Sequence, residues 1–119
     1  LKMIALREQR LTKTALPKFT TLVTEEYYEI VKELMTGILC VDGWKTTSHE
    51  LLIGYVARFH EQIPTSEINL IDQLRVLRND MDYRGVMVNP EFLERNGDQI
   101  IAIITKLKKM LINKINKQS

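Results

Sequence analysis

Cysteine is nearly missing from this chain. The single example, Cys40, excludes an intramolecular disulfide and any cysteine-based metal site. Such usage is expected of a protein that works in a reducing cytoplasm. Long apolar runs are missing too. None approaches the roughly 20 residues that cross a bilayer, so no membrane partner is expected, and the N-terminus lacks the layout of a signal peptide. Histidine is limited to His49 and His60; neither has a carboxylate or thiol pair at ligand spacing, so no metal is expected. The five glycines are scattered, and none builds G-x-x-x-x-G-K or G-x-G-x-x-G, so no cofactor follows from a phosphate-cradling loop. Net charge is only +2, which leaves any nucleic-acid footprint to local patches.

What is present is ordinary for a globular protein: 45% hydrophobic and 27% charged residues over 119 positions, enough for one domain spanning 1–119. The apolar spacing is helical and nowhere alternates as a strand does. A weakly amphipathic helix over about residues 1 to 15 is expected to end before Pro17. A stronger one runs from about Phe19 to Leu39, with Val23, Tyr27, Ile30, Leu34 and Ile38 as one stripe and Tyr28, Val31 and Met35 beside it. Asp42-Gly43 supplies its stop. The spacing Thr47-Ser48-His49-Glu50 reads as a capping box for a helix with the apolar face Leu52, Tyr55, Val56 and Phe59. Pro64 ends that helix, and Thr65 or Ser66 caps the next, which stops at Tyr83-Arg84-Gly85. A last helix starts at Pro90, carries Ile100, Ile104, Leu107 and Leu111, and meets Asn96-Gly97 as a point of kinking or division. The expected fold is all-α, an antiparallel up-and-down bundle of four to five helices.

The most informative stretch is Leu70 to Gly85. Leu70, Leu74, Leu77 and Met81 form a narrow apolar stripe, and Arg75, Arg78, Asn79 and Asp82 fall on its flank. Two guanidiniums, an amide and a carboxylate beside a buried stripe suit an anion or nucleotide site, because a guanidinium takes two oxygens of one phosphate and an amide fixes a base edge or ribose hydroxyl. The same spacing permits internal pairing, Arg78 with Asp82 and Asp72 with Arg75. Tyr83 suits a capping or packing role better than that of a base, with an ordinary pKa near 10. His49, in a first helical turn whose dipole opposes protonation, offers a neutral imidazole beside an anion site, or else a capping or surface residue. His60, beside Glu61, reads as surface, and Trp44 as a lid on the end of the bundle. Lys106, Lys108, Lys109, Lys114 and Lys117 form a basic tail in the last fourteen residues, set there by helix-dipole complementarity and solubility.

Two runs carry a family resemblance. VDGWKTTSHELLIGYV (Val41 to Val56) resembles the segment between the second and third helices of HEPN (higher eukaryotes and prokaryotes nucleotide-binding) domains, and LRVLRNDMDYRGVMV (Leu74 to Val88) resembles their Arg-polar helix and turn. The resemblance implies a homodimer with the Arg helices of both subunits facing one cleft, and a nucleotidyltransferase protein partner, sometimes as toxin and antitoxin. In the nuclease members an Arg, a polar residue and a His after four to six positions make a metal-independent RNase site. Arg78 and Asn79 match the first two; Tyr83 stands where those members have His. The expected function is thus a dimeric module that binds a nucleotide or RNA phosphate through Arg78 and Asn79, with Arg75, Asp82, Tyr83 and His49 around it. The rivals are an endoribonuclease using Arg78 with Tyr83 or His49, and a bundle whose polar cluster serves dimerisation alone.

Overall fold

The computed structural model describes residues 2–118, with side chains from Leu16 onward. The described residues are all-helical, without strands. Four helices follow one another: α1 (Lys2–Val41), α2 (His49–Phe59), α3 (Thr65–Arg84) and α4 (Pro90–Gln118). The connections, 42–48, 60–64 and 85–89, are short.

α1 corrects the expected break at Pro17, since the helix continues through it. Proline there removes one backbone donor and crowds the preceding turn. One turn on, the Thr21 hydroxyl donates to the Pro17 carbonyl at 2.7 Å and accepts from the Val88 amide at 2.8 Å, which ties this part of the helix to the segment after α3. The narrower of the two apolar stripes lies wholly in the core, and the wider one joins it at Ile38, with Tyr27 and Leu34 packed alongside. Tyr28, Val31 and Met35 are fully buried, whereas Ile30 of the wider stripe is exposed. The helix ends where Gly43 adopts a φ of +93°, a left-handed conformation that glycine takes without a Cβ clash.

The cap of α2 is one residue later than the T-x-x-E spacing implies. Ser48 is the N-cap and its hydroxyl accepts from the Leu51 amide at 3.2 Å. The buried face also differs from the expected one: Leu52, Ile53 and Val56 are buried, and Phe59 is exposed. α3 has Pro64 rather than Thr65 or Ser66 at its N-cap, with no side-chain cap, and closes on Gly85 at φ +65° as expected. Pro90 opens α4, which runs undivided past Asn96-Gly97.

α1 packs against each of the other three helices, and interhelical bonds fix their senses. α2 starts beside Tyr28, through His49, and ends beside Asp42, through Tyr55 and His60, so it runs in the same sense as α1. α3 runs the other way, since Arg78 meets Glu29 and the residues after it reach Thr21. α4 returns to the Asp42 end, where Lys114 and Gln118 bond Asp42 and Val41. The chain therefore reverses from α2 to α3 and from α3 to α4. The connection 42–48 instead leads back along α1, so α2 does not reverse α1 as a strict up-and-down order requires.

The core joins Tyr28, Met35, Leu52, Val56, Ile71, Leu74, Ile103 and Leu107 from all four helices. Each such side chain contributes about 1.5–3 kcal/mol by leaving water. α1 and α4 approach closely at Gly37, where an added Cβ would stand 3.0 Å from Leu111 Cδ2.

Candidate functional site

Where the start of α2 faces the second half of α3, a polar cavity of about 290 Å³ is lined by Thr47, Ser48, His49, Glu50, Arg75, Arg78, Asn79, Asp82 and Tyr83. The six residues singled out from the sequence, Arg75, Arg78, Asn79, Asp82, Tyr83 and His49, all lie on its wall. Two local causes bring them together. α3 buries Leu70, Ile71 and Leu74, which sets the flank bearing Arg75, Arg78, Asn79 and Asp82 at the edge of the bundle. The Ser48 cap fixes the first turn of α2 across from it.

The Arg78 side chain is 22% exposed. Its Nη2 lies 2.5 Å from Glu29 Oε1 on α1, and its guanidinium carbon sits 5.6 Å from the centre of the Tyr28 ring, within reach of a cation–π attraction. The expected partner, Asp82, is 3.8 Å from Nε, too far for a hydrogen bond. Arg78 Nε and Glu29 Oε1 are buried without a hydrogen-bond partner. The Glu29–Arg78 contact is thus a charge contact rather than a well-aligned hydrogen bond, and the guanidinium, with five N–H donors, is incompletely satisfied. Arg75 is different. Its Nε donates to Asp72 Oδ1 at 2.8 Å and its Nη1 to Glu50 Oε1 at 3.4 Å, the first of these being the i, i+3 pairing expected from the sequence. The Asp72 hydrogen bond pushes the Arg75 pKa up against the opposing effect of burial.

His49 neither caps α2 nor sits free on the surface: its Nδ1 is 2.9 Å from the Tyr28 hydroxyl. Tyr28 is fully buried, and burial raises its pKa although Arg78 and Arg75 oppose the shift. A neutral phenol with no other acceptor in reach among the described residues donates, which assigns the remaining ring hydrogen to His49 Nε2. Burial, and then the charges of Lys32 and Arg78, hold the His49 pKa below the ordinary histidine value. The imidazole is therefore neutral at pH 7. Tyr83 neither caps nor packs. It is 87% exposed, while Gly85 closes the helix.

The cavity thus offers two guanidiniums, an amide, a phenol and a neutral imidazole on one wall, a donor-rich set for an oxyanion or a nucleotide edge. Two residues behind it were not visible from sequence spacing. Tyr28 and Glu29 belong to α1, about fifty residues before Arg78, and no local pattern links them to it. The other candidates lie elsewhere. His60 is 6% exposed and donates from Nε2 to Asp42 at 3.0 Å, a correction to its surface reading. Trp44 is exposed on the wall of a separate, apolar cavity of about 350 Å³ with Leu51 and Phe59, not closed down as a lid. In the basic tail, Lys106 pairs with Glu67 and Lys114 with Asp42, each at 2.6 Å, so part of it serves the fold. Among the described residues no group of three or more His, Cys, Asp or Glu could hold a metal ion, and no helix is long and apolar enough to cross a membrane.

No protein-family model, curated protein or solved structure matches the chain.

Proposed function

We propose that the Arg78 cavity binds the phosphate of a nucleotide or of RNA, with Arg78 and Asn79 as the principal contacts and Arg75, Asp82, Tyr83 and His49 around them. The observation that supports this reading is the incomplete satisfaction of Arg78. A guanidinium held in place by a carboxylate and an aromatic face, yet left with donors unmatched, is prepared for a further oxygen at little ordering cost. In keeping with the HEPN resemblance, the reading extends to a homodimer that joins two such cavities, to a nucleotidyltransferase protein partner, and to the cytoplasm. Labelled single-stranded RNA and labelled nucleotide, each retained on a filter by wild type and released by Arg78→Ala while the sedimentation mass is unchanged, is the expected result. Loss of the dimer without any loss of retention assigns the cluster to assembly instead.

One observation favours a second reading, an endoribonuclease that needs no metal. His49 is oriented by Tyr28 on the same wall as Arg78, so its Nε2–H can donate to a phosphate oxygen beside Arg78 and steady the charge that develops there, while water takes the proton of the attacking ribose hydroxyl and returns one to the departing 5′-oxygen. Cleavage of RNA in chelator, abolished by His49→Gln and by Arg78→Ala, selects this reading; intact RNA returns to the binding module.

A further inference from the structure

The charged residues on the cavity wall balance: Arg75 and Arg78 stand against Glu50 and Asp82. The layer behind tips the balance, because Asp72 and Glu29 add two carboxylates and Lys32, 2.8 Å from Glu29, adds one ammonium. Three cations therefore face four carboxylates. A ligand with one negative charge gains more from the guanidiniums at contact distance than it loses to carboxylates farther off. Each carboxylate's repulsion grows in proportion to the ligand's charge, so it withdraws more affinity from a doubly charged ligand than from a singly charged one.

The four carboxylates differ in how firmly they act. The side chains of Glu50, Asp72 and Asp82 are 76%, 49% and 46% exposed, so water screens them and lets them turn away. Glu29 is 29% exposed, does not line the cavity, and is fixed by Lys32 as well as by Arg78. It comes from α1 while Arg78 comes from α3, and its charge stands behind Arg78.

We propose that Glu29 tunes the charge selectivity of the cavity, neutralising Arg78 from behind so that it withdraws more affinity from a doubly charged phosphomonoester than from a singly charged phosphodiester. The inference rests on the phosphate-binding reading above. Calorimetric titration at pH 8, where a monoester carries nearly two charges, tests it with two probes of the same base: the dinucleotide adenylyl-adenosine, which has one diester, and adenosine monophosphate. Glu29→Gln is expected to raise monophosphate affinity roughly ten-fold with a smaller gain for the dinucleotide, so that the preference between the two moves toward the monophosphate. Lys32→Gln, which leaves Glu29 less compensated, is expected to move it toward the dinucleotide. A preference that neither variant moves, or that each moves the opposite way, overturns the role of Glu29 while leaving phosphate binding intact. If wild type binds neither probe, the phosphate reading itself falls and the selectivity with it.

Discussion

The Asp42 node and the Arg78 cavity are made from similar parts: carboxylate, tyrosine, histidine and a basic side chain, drawn in each case from three helices or their ends. At Asp42 every part is matched. Oδ2 accepts from the Tyr55 hydroxyl at 2.8 Å and from His60 Nε2 at 3.0 Å, and Oδ1 accepts from Lys114 Nζ at 2.6 Å. Burial pushes the Asp42 carboxyl up, but the hydrogen bonds from Lys114, Tyr55 and His60 together outweigh it and hold the pKa below the ordinary aspartate value. The phenol of Tyr55 moves the other way, up to about 12, through its own burial and the Asp42 bond. At Arg78 the parts are close but unmatched, with a buried donor and a buried acceptor left over. A polar network with every group satisfied rigidifies a fold, and one with groups left over stores free energy that a ligand can release. Similar chemistry is thereby divided between holding the helices and offering a site.

The sharpest way to break the comparison is to remove the matched centre. Asp42→Ala leaves Lys114, His60 and Tyr55 without their common acceptor, and about 2–3 kcal/mol of unfolding free energy is expected to vanish from denaturant titrations. Retention of RNA should not change, because none of these residues lines the Arg78 cavity. The complementary substitution, Arg78→Ala, is expected to weaken phosphate binding by roughly ten-fold or more and to alter stability by less than about 1 kcal/mol, since Glu29 keeps Lys32 at 2.8 Å. A large stability loss with unchanged binding would make the two clusters alike, both structural.

How much of this could be read from the sequence differs between the two clusters for a physical reason. The wall of the Arg78 cavity was legible because Arg75, Arg78, Asn79, Asp82 and Tyr83 recur within a few turns of one helix, and helical periodicity puts them on a shared flank. The helical stops at Gly43 and Gly85 were legible too, each needing a positive φ. The Asp42 node was not. Its members are 13, 18 and 72 positions from Asp42, so only the packing of helices brings them together, and His60 beside Glu61 carries no local sign of burial. Pro17 misled for a related reason: intrinsic preference argues for a break, while a bond from the Val88 amide, 67 positions away, to the Thr21 hydroxyl ties the turn after it to the rest of the bundle.

Two smaller experiments sharpen the comparison inside the cavity. Tyr28→Phe keeps the ring under Arg78 but removes the hydroxyl that donates to His49 Nδ1 at 2.9 Å. A loss of about 1 kcal/mol is expected by thermal unfolding, with Arg78-dependent binding retained. If binding falls with it, the orientation of His49 belongs to the site and not only to the packing of α2 on α1.

The smallest expected effect separates the two histidines by pH. His49 has a folded pKa below the ordinary value, so the unfolded chain binds its proton more readily than the folded one. Stability supported by neutral His49 is then fully present above the unfolded value near 6.5 and is lost as pH falls from there through the folded value. Denaturant titrations of wild type between pH 8 and pH 5 should therefore show stability declining below about 6.5. His49→Gln, which cannot take up the proton, should flatten that decline, whereas His60→Gln should lower stability at every pH by removing a donor from Asp42. A decline that survives His49→Gln would mean that the imidazole is not the group that loses its place on protonation, and the neutral histidine assigned beside Arg78 would go with it.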